Sequence, residues 1–165
     1  MKRILAKIEL GDMIAATIAD EQNTGLLFTP RDMFEQVDWE KLYAVDAMVQ
    51  AKVLGDAYAG GISNGLNLRN SETVAKLRYV DQRISHEAGS TTVTTHFATV
   101  DGQHAVHQLV HHAGAAALIS RVTYSNEGTA PISLEMLASF SLGGITPFAK
   151  GDTPQTLRAH RLRAR

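Results

Sequence analysis

No cysteine occurs anywhere in the chain, which excludes disulfide bonds, thiolate nucleophiles and cysteine-ligated zinc, and leaves the redox compartment open because that absence fits any location. An excess of charge of one sign is missing too. Sixteen Lys and Arg nearly cancel seventeen Asp and Glu, and a pI near 6.6 gives no general attraction to nucleic acid or anionic lipid. No nucleic-acid partner is expected. No apolar run approaches the roughly 18 residues of a membrane span. The basic start, MKRILAKIELGDM, is interrupted by Lys7, Glu9 and Asp12, leaving no apolar stretch for a secretory signal. The expectation is a cytoplasmic, soluble chain with no membrane partner.

What the chain does contain is alternation. At 165 residues it is long enough to bury a core, and the length favours one domain over residues 1–165. Ile132, Leu134, Met136, Ala138, Phe140 and Leu142 alternate with Ser133, Glu135, Leu137, Ser139 and Ser141, a period of two that predicts a strand with one face in a core. Upstream, Leu118, Val122 and Tyr124 share one side of an extended run that ends in Asn126, Gly128 and Pro131, so a strand, a turn and a further strand follow one another. Thr and Val are abundant on both sides of Asp101-Gly102, a dipeptide suited to a tight hairpin turn. Residues 2–10, 13–20, 47–54 and 73–80 are each short, β-compatible and bounded by Gly, Asp or Asn. About eight or nine strands at near-regular spacing predict an all-β sandwich or barrel with little helix. Only residues 31–46 are ambiguous, since Phe34, Val37, Trp39 and Leu42 fit a short helix as well as a loop.

Four histidines crowd into residues 104–112, and His107 and His111 have the i, i+4 spacing of a zinc-binding helix. A helical zinc protease needs Glu directly after the first histidine as its base, and Gln108 stands there. On a hairpin strand, moreover, residues four apart are separated by about 13 Å, too far for one metal held at about 2 Å from each nitrogen. The four therefore read as surface or hydrogen-bonded side chains, with no metal and no cofactor expected. Nucleophile elbows, phosphate-binding loops and dinucleotide fingerprints are missing. Asp20, Glu21, Asp56, Asp81 and Asp152 are all available carboxylates, and spacing privileges none as a catalyst.

Residues 55–70 present a different chemistry. Gly55, Gly60, Gly61 and Gly65 allow a tight bend or a close approach to another surface. Among them stand Asp56, Tyr58, Ser63, Asn64, Asn67, Arg69 and Asn70. Amides and carboxylates pair with sugar hydroxyls, and an aromatic ring can cover a pyranose face. A polar loop joining two strands explains the same composition. The chain closes on Arg158, Arg161, Arg163 and Arg165 with His160, which fits either the edge of a larger polypeptide or a solvated basic tail.

Several stretches carry a resemblance. LRYVDQRIS, TTVTTHFATVDGQHAVHQLV, ALISRVTYSNEGTAPISLEMLASFSLGGITPF and LRAHRLRAR together resemble the N-terminal domain of family 36 α-galactosidases from about Ala47 onward, and YSNEGTAPISLEMLASFSLGG is the most specific piece. The resemblance implies a two-sheet antiparallel β-supersandwich, similar to galactose mutarotase-like domains, standing before a catalytic (β/α)8 barrel. Family members are retaining enzymes with two catalytic aspartates on that barrel, in a Lys-Trp-Asp motif and a Ser-Cys-Gly segment. This chain has neither: Trp39 is followed by Glu40, and cysteine is absent. No catalytic residue is expected here.

The resemblance thus implies the non-catalytic leading part of a longer glycoside hydrolase, inactive alone, whose partners are the barrel, further copies in a homo-oligomer, and a galactose-containing oligosaccharide bound by the parent enzyme. Asp56, Tyr58, Asn64 and Arg69 are the expected sugar contacts, although the family's Gly-Asp-Phe-Arg form departs here to Gly-Asp-Ala-Tyr. A stand-alone carbohydrate-binding or mutarotase-like sandwich using histidines for acid–base chemistry is the alternative, and a His-ligated metalloenzyme is a third reading.

Overall fold

The structure, a computed structural model, describes residues 2–37, 45–57, 69–115 and 117–142. In chain order the strands are β1 (Arg3–Leu10), β2 (Met13–Ala19), β3 (Thr24–Pro30), β4 (Ala51–Val53), β5 (Arg78–Glu87), β6 (Ser90–Ala98), β7 (Gln103–His112), β8 (Leu118–Asn126) and β9 (Leu134–Leu137). One short helix, α1 (Glu72–Lys76), and a 3-10 turn over Arg31–Gln36 complete the elements among the described residues. Every strand pairing is antiparallel: β1-β2-β3 form one sheet, β5-β6-β7-β8 a second, and β4 with β9 a third, small one. The chain is an all-β, sandwich-like protein, as its alternation predicts.

Local chemistry sets the turns. Gly11, at φ 63°, and Asp12 reverse the chain between β1 and β2. Asp20 reverses it again, its Oδ1 accepting the Gln22 and Asn23 amides at 2.8 Å and its Oδ2 the Val45 amide at 2.9 Å. Burial pushes the Asp20 carboxyl pKa up, but those amides and the Lys2 charge outweigh it and hold the group below its ordinary value. The Asp101-Gly102 hairpin forms between β6 and β7, with Gly102 at φ 81°.

The two larger sheets face each other across one core. Ile8, Leu10, Ala15 and Leu26 from the first meet Val93, Phe97, Ala105 and Leu109 from the second, with Met48, Val49 and Leu77 between. A polar band crosses this core, in which Gln82 Nε2 donates to Thr17 Oγ1 and Thr95 Oγ1 at 2.7 Å. The other face of β1-β2-β3 is covered as well, by a second cluster of Ile14, Ala16, Ile18 and Leu27 with Phe34, Val37 and Val45. The 3-10 turn thus works as a lid on the three-stranded sheet.

Three segments differ from expectation. Residues 73–80 were expected as a strand; they begin in α1, because Ser71 accepts the Val74 amide at 3.2 Å as an N-cap, and extended structure starts only at Arg78. β3 escapes period-two reading because TGLLFTP is buried on both faces and so shows no alternation. Of the alternating run 132–142 only Leu134–Leu137 is a strand, since its partner β4 is equally short. Trp39 and Leu42, and the arginines of the C-terminal run, lie outside the described residues.

Candidate functional site

β4 and β9 carry the glycine-dense segment. The chain leaves β4 through Leu54, whose amide donates to the Ser133 carbonyl at 2.8 Å, turns at Gly55 with φ 99°, and reaches Asp56. Its carboxylate closes the base of the loop: Oδ2 accepts the Val53 amide at 3.2 Å and the Thr73 amide at 3.3 Å, while Oδ1 accepts the Thr73 hydroxyl at 3.0 Å. Burial pushes the Asp56 pKa up, yet the donors on Thr73, Val53 and Ser71 together hold it below the ordinary carboxylate value.

The far side of the base is fixed as firmly. Asn70, at φ 51°, donates its amide to Gln50 Oε1 at 2.8 Å and accepts from Gln50 Nε2 at 3.0 Å. Ser71 donates its hydroxyl to the Ala51 carbonyl at 2.6 Å. Arg69 lies 3.5 Å from the Asp46 carboxylate. Both ends of the segment are therefore stapled to β4 and the stretch before it. Two of the expected sugar contacts, Asp56 and Arg69, stand at the two ends of the segment and are each engaged within the chain, Asp56 by Thr73 and Arg69 by Asp46. The other two, Tyr58 and Asn64, lie outside the described residues.

Beneath the base sits a buried charge. Lys52, with a side chain 3% exposed, meets the Glu135 carboxylate across the β4–β9 pair. Tyr124 adds to this neighbourhood: its hydroxyl donates to Gln103 Oε1, and burial together with the Asp56 charge pushes its pKa up to about 12. Neither Lys52 nor Gln50 is flagged by spacing. The only signal for them is polarity inside the apolar run AMVQAKVL.

The crowded histidines separate into different environments. His107 is 2% exposed and lies 3.1 Å from Ser120 Oγ, whose own proton goes to the Ser139 carbonyl at 2.6 Å. That arrangement makes His107 Nε2 the donor to Ser120. Burial pushes His107 down to about 4, so it is neutral at physiological pH and unsuited to the acid–base task of the mutarotase-like reading. His104 lies 3.5 Å from Glu127, and His112 is exposed. Among the described residues no three His, Cys, Asp or Glu side chains are grouped to hold a metal.

His111 borders a cleft of about 700 Å3 between the β1–β2 turn and the β7–β8 connection. Leu10, Met13, Phe28 and Leu118 wall it, with Asp12 as the other polar side chain. His111 Nε2 donates to the Ala115 carbonyl at 3.0 Å, which places its ring proton on that nitrogen. The volume suits a small ligand or an inserted side-chain cluster; in the sequence, Gly11 and Asp12 signal only a turn. Among the described residues no helix is long and apolar enough to cross a membrane. Comparison of the chain with protein-family models, with curated proteins and with solved structures finds no match.

Proposed function

We propose that the chain is the non-catalytic N-terminal β-supersandwich domain of a cytoplasmic, family 36 α-galactosidase-like glycoside hydrolase. It braces a catalytic barrel, takes part in a homo-oligomer and offers the 55–70 loop toward a galactose-containing oligosaccharide. The observation that carries this reading is a convergence of motif and loop. Within YSNEGTAPISLEMLASFSLGG, β9 pairs with β4, the strand that leads into the loop, and Glu135 meets Lys52. From the same stretch Tyr124 feels the Asp56 carboxylate. The most specific part of the resemblance is thus the part that supports the loop.

In this reading Asp56 and Arg69 hold the base, and the residues between them, Tyr58 and Asn64 included, supply the sugar contacts. The test is antibody capture of the native polypeptide from the cells that make it. The captured protein is expected to extend by a barrel of about 250 residues or more and to hydrolyse an aryl α-galactoside with retention, while the present chain alone does not. A native polypeptide without a barrel, hydrolysis by the isolated chain, or galactose anomer exchange by it would each refute the proposal.

A further inference from the structure

The cleft of about 700 Å3 between the β1–β2 turn and the β7–β8 connection has two rims that the chain itself holds in place. On the β1–β2 side, Arg31 donates its backbone amide to the Asp12 carbonyl at 2.9 Å and its guanidinium to the Gly11 carbonyl at 2.7 Å. On the β7–β8 side, the Ala113 amide donates to the Gly89 carbonyl at 2.7 Å, and the Ala115 carbonyl holds the His111 ring at 3.0 Å. The walls are as firm, because Phe28 and Leu118 line the cleft and also pack on the buried cluster that contains Leu10. A preformed apolar cleft of this size with a few polar groups is the ordinary form of a small-molecule site.

Those polar groups are all of one kind. The Asp12 carboxylate has no hydrogen-bond or ion-pair partner among the described residues, and the cation nearest in the chain, Arg31, is turned to Glu9 at 3.2 Å. His111 gives its ring proton to Ala115, so its other nitrogen, Nδ1, is an acceptor. No other lining side chain is polar. The ligand must therefore bring the donors and the positive charge. We propose that the cleft binds a small organic ammonium, with one or two aromatic rings against Phe28, Met13 and Leu118 and a primary amine a few carbons away that donates to the Asp12 carboxylate and to His111 Nδ1. An anion finds no free side-chain donor here, and a sugar finds too few polar partners for its hydroxyls.

The site stands apart from the 55–70 loop. Tyr124, which feels the Asp56 charge, pairs with Ala105 on β7, and His111 lies about 20 Å further along that strand at roughly 3.3 Å per residue. The inference does not rest on the glycosidase reading, and either can fail alone.

Tryptamine is the probe. Calorimetric titration of the full chain is expected to give one site with a Kd of about 0.1–1 mM, the range for a ligand of about a dozen heavy atoms. Indolepropionate, the same ring carrying an anion, binds about tenfold more weakly or not measurably. Asp12→Asn lowers the tryptamine affinity about threefold and leaves that of tryptophol, the uncharged alcohol, within about twofold. Ala117→Trp, which sets a large ring at an exposed lining position, abolishes binding of both. In proton–nitrogen correlation spectra of the unmodified chain, tryptamine shifts the amides of Gly11, Asp12, Met13, Ala115 and Leu118, and the His111 Nδ1 resonance moves upfield as that nitrogen accepts a hydrogen bond. No shift at these residues, indolepropionate binding as tightly as tryptamine, a tryptamine affinity indifferent to Asp12→Asn, or galactose displacing tryptamine from them would each overturn the assignment. The spectra of the unmodified chain decide it even where Ala117→Trp is poorly folded.

Discussion

Replacing Asp56 by alanine removes a carboxylate that accepts from the Val53 amide, the Thr73 amide and the Thr73 hydroxyl at 3.0 to 3.3 Å. A hydrogen bond to a charged group contributes about 1.5–3 kcal/mol when well buried. These three are long, share one half-buried acceptor and leave donors that water can reach, so the combined loss is set at about 2 kcal/mol. For a domain of this length that lowers Tm by roughly 4–8 °C. Thermal and urea unfolding followed by circular dichroism at pH 7, with no sugar present, measures it. The sign of the pH dependence provides a second check. Folding lowers the Asp56 pKa below its ordinary 3.8, so the carboxylate's contribution is fully present above pH 3.8 and is lost as pH falls through the lower native value. The gap between wild type and variant must shrink in that window. Comparing the two chains cancels the parallel contribution of Asp20, which is also held low. A variant as stable as wild type at pH 7, or a gap that widens on acidification, would show that the loop base is not held by this carboxylate.

Three more outcomes follow from the packing. Gly25→Ala places a Cβ on the Asp46 carbonyl oxygen and against Val45, and is expected to cost about 1–3 kcal/mol in urea unfolding. His107 is neutral when folded, with its pKa pushed from 6.5 to about 4, so the unfolded chain takes up a proton first as pH falls. The His107 contribution to stability is therefore expected to fall by about 3 kcal/mol between pH 6.5 and 4 and to change no further below that, and His107→Gln should flatten the slope of the unfolding curves in that window. Glu135→Ala strips a carboxylate from the buried Lys52 ammonium; the usual cost of about 3–5 kcal/mol is discounted to roughly 2 because the Glu135 side chain is 36% exposed. The paired change Lys52→Met with Glu135→Leu should recover most of that loss in the same assay.

The features legible in the sequence are those whose causes are local. Asp101-Gly102 announces its hairpin because turn chemistry needs only adjacent residues. The Thr- and Val-rich run TTVTTHFA announces β6 because β-branched side chains suit a pleated, half-buried strand. β3 is silent because cores on both faces erase its period. Residues 73–80 mislead because Val74, Leu77 and Tyr79 suit a strand, and the helical start is decided by the hydroxyl of Ser71, itself held by the Ala51 carbonyl. At the candidate site, the glycine-dense bend and its polar side chains are visible in the sequence, but the engagement of Asp56 is not. Its partner Thr73 lies 17 residues away, and spacing alone cannot distinguish a carboxylate that binds a ligand from one that binds its own backbone.

Consider finally what it means for β2 to be filled on both sides. Ala15 and Ala16 are 1% and 0% exposed on opposite faces, and Thr17 is 2% exposed, so three successive positions set the thickness of the molecule at its centre. A larger residue at any of them would act as a wedge, prising one layer from the next instead of filling a void. Evolutionary drift is thereby channelled outward, to the solvent side of the four-stranded sheet, where Arg121, Thr123 and Ser125 can change size without moving anything behind them.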